Sequence, residues 1–150
     1  MSYSEDISSQ IPALLLLQNM GFTYLPPDQA HEQRDQRNDQ VLLKPVLKEW
    51  IKENNSILYR GVQHHFNDHN IDQAIEALVQ IPLNEGLLTA NEHVFNLITL
   101  GKSLEQNVEG DKKSFSLQYV NWQEPQKNVY HCTAEFPVLR EGRNDTYRPD

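Results

Sequence analysis

A change of hydrophobic period at Gly101 is the feature that most restricts what this chain can fold into. Before it, apolar residues recur at helical spacing; after it, they alternate as in strands. The first helix is expected over residues 7 to 20, where Ile7, Ile11, Leu14, Leu15 and Gln18 approach a 3.6-residue repeat and Gly21 supplies a stop. Phe22-Thr23-Tyr24-Leu25 reads as a short strand halted by Pro26-Pro27. The polar stretch 28–40 reads as a solvated loop or polar helical turn outside the core. A second helix is expected from Val41 to Asn54 on Val46, Leu47, Trp50 and Ile51. A third runs from Ile71 to Ile81 on Ile71, Ala74, Ile75 and Leu78, with Asn70 as its cap. A fourth runs from Glu85 to Leu100 on Leu87, Leu88, Val94, Leu97 and Ile98, stopped by Gly101.

Beyond Gly101, Phe115, Leu117, Tyr119 and Asn121 alternate with Ser116, Gln118, Val120 and Trp122, which predicts a strand. Residues 124–128 form its turn, and Val129 to Leu139 reads as the return strand of a hairpin. The expected fold is therefore α+β, with N-terminal helices packed on an incomplete, initially antiparallel sheet. In domain terms this is a single partial domain. Residues 1–101 form its mainly helical part; residues 102–150 form the hairpin and the lead-in to further strands.

Charge narrows the function classes. The net charge is −8, which argues against a generic DNA-coating protein. Residues 1–101 carry 6 Lys/Arg against 13 Asp/Glu, whereas residues 102–150 carry 7 against 8. A local phosphate-facing patch of Arg140, Arg143 and Arg148 therefore fits the nearly neutral tail. No run approaches the roughly 20 apolar residues of a membrane span, and the acidic N-terminus does not resemble a secretory signal. With Cys132 alone no internal disulfide can form, which suits a reducing cytoplasm.

Several local patterns invite chemistry. Gly101-Lys102-Ser103 lacks the earlier glycine and the preceding strand of a phosphate loop, so Gly101 reads as a helix stop. His65 and His69 have helix-face spacing for a metal, but Asn67-Asp68-His69-Asn70 is poor helix material; exposed or core-edge histidines are the better account. His131 and Cys132 are strand neighbours and point to opposite faces, so they form no dyad, and Cys132 reads as a small buried residue. Trp50, Trp122, Tyr59, Tyr119 and Tyr130 read as core rather than base-stacking residues. Arg148-Pro149-Asp150 differs: proline enforces extended backbone before an acid, a common way to present a magnesium ligand.

The order of segments resembles the N-terminal region of the restriction (R, motor and endonuclease) subunit of type I restriction–modification enzymes. The pieces that carry it are Leu14 to Leu25, the polar stretch with Arg34 and Arg37 leading to Val41-Leu42-Leu43, Glu85 to Glu92, Leu100-Gly101-Lys102-Ser103, the segment Ser114 to Val138 around Trp122 to Asn128, and Arg148-Pro149-Asp150. The resemblance implies the start of a restriction-endonuclease-like domain whose PD-(D/E)xK-type site opens with Asp150 as catalytic residue and Mg²⁺ ligand. Arg148 and Arg143 would then face DNA, and a first-helix acid, Glu5 or Asp6, could assist. The Glu-x-Lys half of the site and the ATP-using motor regions have no counterpart in these 150 residues. The chain is thus expected to be a truncated piece, inactive alone, of an enzyme that cleaves double-stranded DNA during ATP-driven translocation. Its partners would be the methylation and specificity subunits, and no membrane is implied. The alternative is a non-catalytic module that docks a partner subunit.

Overall fold

A computed structural model describes residues 9–140 and 145–147. It holds five helices among the described residues: α1 (Ile11–Asn19), α2 (Pro27–Glu32), α3 (Lys44–Asn54), α4 (Asp68–Val79) and α5 (Leu87–Leu100). The strands are β1 (Thr23–Tyr24), β2 (Ile57–Tyr59), β3 (Val62–His64), β4 (Lys102–Val108), β5 (Asp111–Leu117), β6 (His131–Cys132), β7 (Val138–Leu139) and β8 (Thr146–Tyr147). They pair as four separate two-stranded ladders, three antiparallel and one parallel. The class is α+β.

The chain divides into two compact units, 44–128 and 1–43 with 129–150. In the first, α3, α4 and the β4–β5 ladder enclose a core of Ile51, Ile57, Ile71, Ala74, Ile75, Leu104, Val108 and Leu117, with Trp50, Tyr59 and Tyr119 at its margin. Helix α4 starts one turn earlier than expected. Its cap is Asn67, whose side chain accepts from the Asn70 N–H at 2.8 Å. Asn70 is instead buried, donating to the Glu105 carbonyl at 3.0 Å and to Gln106 Oε1 at 3.1 Å. Burial leaves these amides no water, so each must find a protein partner. Asn55 meets the same demand at the end of α3: it donates to the Gln118 carbonyl at 2.9 Å and accepts from the Gln118 N–H at 2.7 Å.

On the outer face of α3, Lys44, Lys48 and Lys52 reach Glu76 (2.8 Å), Asp72 (2.5 Å) and Asp68 (2.5 Å) of α4. The hydrogen bond from Lys52 holds the Asp68 carboxyl below the ordinary carboxylate range, and that from Lys44 does the same for Glu76. The bond to Asp72 raises Lys48. A carboxylate with a depressed folded-state pKa stabilises the fold above its unfolded pKa and loses that contribution as pH falls through the folded value. The ladder should therefore weaken only below the ordinary carboxylate range. At the alkaline end, the Lys48 contribution is lost as pH rises through its raised value. Melting temperatures taken from neutral to acid pH should fall less in an Asp68→Asn, Glu76→Gln double variant than in the parent. Because the pairs are exposed, the difference should be small and should shrink in high salt.

The hairpin expected across residues 115–139 is not formed. Strand β5 turns back through Glu109-Gly110 onto β4, pairing Leu104 with Phe115 and Lys102 with Leu117. The stretch 121–128 is a closed loop, braced by Asn128 Nδ2 donating to the Asn121 carbonyl at 2.9 Å and by the Asn121 N–H donating back to Asn128 Oδ1 at 2.9 Å. Residues 131–132 pair instead in parallel with Thr23–Tyr24, within the unit built from 1–43 and 129–150. Strand pairing is chosen by partners far away in sequence, which alternation alone does not identify. The β2–β3 hairpin, with its two-residue turn Arg60-Gly61, was also outside the sequence expectation.

In the unit built from 1–43 and 129–150, α1 packs against β1 and β6; on it Leu14 and Leu17 are half-buried while Leu15 and Leu16 are exposed. Residues 7 and 8 of the first expected helix lie outside the described residues. The Phe22 and Tyr130 rings pack at a tilt, 5.3 Å between centroids. The polar stretch 28–40 does contribute to the interior: it carries α2, and Ala30 and Arg34 are 1% and 2% exposed. Strand β7 pairs antiparallel with β8, Val138 opposite Tyr147 and Leu139 opposite Thr146.

Candidate nuclease site

Asp150, Arg148 and Arg143 lie outside the described residues, as do Glu5 and Asp6. What the structure describes is the approach to them. Tyr147, the last residue of β8, immediately precedes Arg148 in the chain. Arg140, at the end of β7, donates its main-chain N–H to the Asp145 carbonyl at 3.1 Å. Its guanidinium lies 3.5 Å from the Asp145 carboxylate and 5.8 Å from the centre of the Tyr147 ring. Both charged groups are about half exposed, so the pair tethers the turn weakly.

The other side of β7 is held by Arg34. Its Nη1 donates to the Pro137 carbonyl at 2.8 Å, and its Nη2 donates to Asn38 Oδ1 at 2.9 Å and lies 3.3 Å from His31 Nδ1. The guanidinium lies 4.1 Å from the centre of the Phe136 ring. The Asn38 carbonyl in turn accepts from the Leu139 N–H at 2.8 Å. Burial pulls the Arg34 pKa below its ordinary value; a guanidinium nonetheless stays charged throughout the physiological range. The backbone after Arg34 takes positive φ at two successive non-glycine residues, Asp35 and Gln36, both at 57°. Such geometry is unfavourable in isolation and persists where tertiary contacts over-determine it. The sequence offers no signal for this role, because Arg34 sits among polar residues that are mostly exposed.

The remaining candidates fall away from this region. Gly101 stops α5, its N–H donating to the Leu97 carbonyl at 2.9 Å. His65 precedes α4 rather than sharing it with His69, so the two do not occupy one helix face. His64 is half-buried with Nε2 3.5 Å from Glu109 Oε1. Among the described residues no group of three or more His, Cys, Asp or Glu side chains could hold a metal ion. Cys132 is buried and His131 half-buried on β6. Of the aromatics expected in the core, Trp50, Tyr59 and Tyr119 are buried, and the Tyr119 hydroxyl, donating to the Ala74 carbonyl at 2.8 Å, is pushed by burial to about 12. Trp122 and Tyr130 are exposed at 59% and 42%. Trp122 is instead fixed at the surface by its Nε1 donating to the Ile98 carbonyl at 3.1 Å. The helix stripe expected on α5 is kept in part: Leu97 is buried and Val94 and Ile98 are half-buried. Leu87 and Leu88, however, are exposed, and Ala90 takes a buried place the sequence did not mark.

The family model for the type I restriction enzyme R protein N terminus matches residues 2–150. The chain belongs to that family. The match takes in the whole Leu14–Leu25 segment, Arg34, the α5–β4 junction and Arg148-Pro149-Asp150. No curated protein and no solved structure matches the chain. No helix among the described residues is long and apolar enough to cross a membrane.

Proposed function

We propose that this R-protein N terminus carries the first acid of a Mg²⁺-dependent nuclease site that cuts double-stranded DNA. Asp150 would be the catalytic metal ligand, and Arg148 and Arg143 would contact the phosphate backbone. The observation that carries the reading is family membership over residues 2–150, joined to an Arg-Pro-Asp sequence directly after β8. Proline biases Arg148 toward extended backbone, which suits an acid presented at a strand. Mg²⁺ would neutralise the phosphodiester and activate water. ATP would drive translocation through motor regions of the R protein, and the methylation and specificity subunits would choose the site. The cytoplasm is the matching compartment. The acidic character of residues 1–101 suits a division of labour in which other regions grip the duplex. One carboxylate holds Mg²⁺ weakly, so residues 1–150 in isolation are expected to be inactive as a nuclease.

The full R protein, combined with its methylation and specificity subunits on unmethylated duplex DNA, is expected to cut only when both Mg²⁺ and ATP are present. Cutting that proceeds unchanged in excess chelator would sink the metal assignment.

A second reading, a docking module for a partner subunit, draws on the exposed apolar side of α5. Leu88 and Phe95 are 83% and 64% exposed there and line a shallow groove with Val94 and Ile98. A purely docking role leaves DNA cutting independent of Asp150.

A further inference from the structure

We propose that the open edge of β5, from Lys112 to Ser116, is a pairing surface for a second copy of this chain, the two β5 strands running antiparallel about Ser114. Every residue involved lies in the unit 44–128, and the inference is independent of the nuclease reading. The phase of the β4–β5 ladder decides which groups face outward. Its turn is Glu109-Gly110, both at positive φ, and a two-residue turn is flanked by a hydrogen-bonded pair, here Val108 and Asp111. Hydrogen-bonded and open pairs then alternate, so the N–H and C=O of Lys112, Ser114 and Ser116 point away from β4. Two side chains agree with that phase. Asn70 donates at 3.0 Å to the carbonyl of Glu105, the residue opposite Ser114, on the outer edge of β4. Asn55 accepts from the Gln118 N–H and donates to the Gln118 carbonyl, as a neighbouring strand would, and so closes the edge beyond Ser116. Among the described residues nothing takes the main-chain groups of Lys112, Ser114 and Ser116.

Open edges are ordinarily blunted by proline, by a bulge or by a free lysine. Strand β5 has no proline, and its register runs unbroken from Asp111 to Leu117. Its lysines are engaged within the unit: Lys112 reaches Glu105 at 2.5 Å, and Lys113 lies 5.0 Å from the centre of the Tyr59 ring. The sequence of the edge selects its occupant. Antiparallel pairing about Ser114 sets Lys112 opposite Ser116 of the second copy, Ser114 opposite its own counterpart, and Lys113 opposite Phe115 of the second copy. All the outward main-chain groups are then matched, and no two lysines stand directly opposed, which would be destabilising. Sliding the register one pair toward the turn sets Lys113 against Lys113. Sliding it the other way requires Gln118, whose main chain Asn55 already holds. The outer face of the ladder is polar, with Ser103, Glu105 and Asn107 exposed, so the pairing adds main-chain bonds and little apolar burial. An interface of that kind is weak and reversible.

The test is sedimentation of the full R protein, without its partner subunits, from about 1 to 100 μM, the range in which so small an interface would show. A reversible dimer whose share grows with concentration is expected. Ser114→Pro removes an outward N–H and no bond of the β4–β5 ladder, so it should melt within a few degrees of the parent and stay monomeric. The variants at position 116 read the register and do not depend on the proline variant folding. Ser116→Glu places a carboxylate opposite Lys112 on both sides of the dimer and should tighten it roughly threefold or more. Ser116→Lys opposes like charges there and should weaken it by about the same factor. A parent that stays monomeric throughout the range overturns the proposal. So does a dimer indifferent to the sign of the charge at position 116, or one that a folded Ser114→Pro variant forms as tightly as the parent.

Discussion

Replacing Asp150 by Asn in the full R protein should reduce DNA cleavage by more than about a hundredfold while leaving ATP hydrolysis at the parental rate. The amide keeps the volume and one neutral oxygen but removes the negative charge that holds Mg²⁺ against water. Losing a partner that merely orients a metal ligand costs roughly 10–100-fold, and losing the ligand itself should exceed that. The metal's contributions fail together: charge on the phosphodiester is no longer neutralised, and the attacking water is no longer acidified. ATP hydrolysis belongs to the motor regions, so it reports whether the variant is folded and assembled. Cleavage and ATP turnover should therefore separate cleanly. Cutting at the parental rate by the folded variant would remove Asp150 from the site and leave the docking reading in its place.

The second large effect is on stability. Gly101→Ala should lower the stability of the fold by about 3 kcal/mol or more and the melting temperature by on the order of 10 °C. Gly101 sits at φ 80°, ψ −170°, a region nearly closed to residues with a Cβ. It is also pressed against the end of the β4–β5 ladder: a Cβ there would run into the Leu117 carbonyl oxygen, with the Leu117 carbonyl carbon 3.2 Å away. That carbonyl is backbone, one residue from Gln118, whose N–H is bound by Asn55, so it cannot retreat without loosening the end of α3 as well. Gly86→Ala is the matched control. Gly86 has φ 90° and ψ 164°, yet a Cβ there meets nothing within 4 Å. Chemical denaturation of both variants would measure dihedral strain alone at Gly86 and strain plus collision at Gly101. Equal losses would show that the close approach to Leu117 contributes nothing.

Gly101 also marks how far local patterns reach. Its role as a stop was legible because a helix closes its hydrogen bonds within four residues, so the period of Ile71, Ala74 and Ile75 or the glycine after Leu100 is information carried on the spot. The α+β class followed from the change of period, and the segment order from Leu14 to Asp150 was enough to suggest the family to which the chain belongs. Pairing was not legible in the same way. Leu117 returns to Lys102, and Cys132 joins Tyr24, because ladders close between strands whose partners are separated by turns or by about a hundred residues. Alternation says which face a residue takes but not which strand lies beside it. Nor does an apolar period fix the full extent of the covered face, so Leu87 and Leu88 point outward while Ala90 is buried. Arg34 is the clearest case. Nothing in its neighbours marks it as buried; its environment exists only where the 34–38 loop meets Phe136 and Pro137. Helices, their stops and the family were thus written in residues adjacent along the chain. The strand partners and the Arg34 contacts to Pro137 and Asn38 came from residues that folding alone brings together.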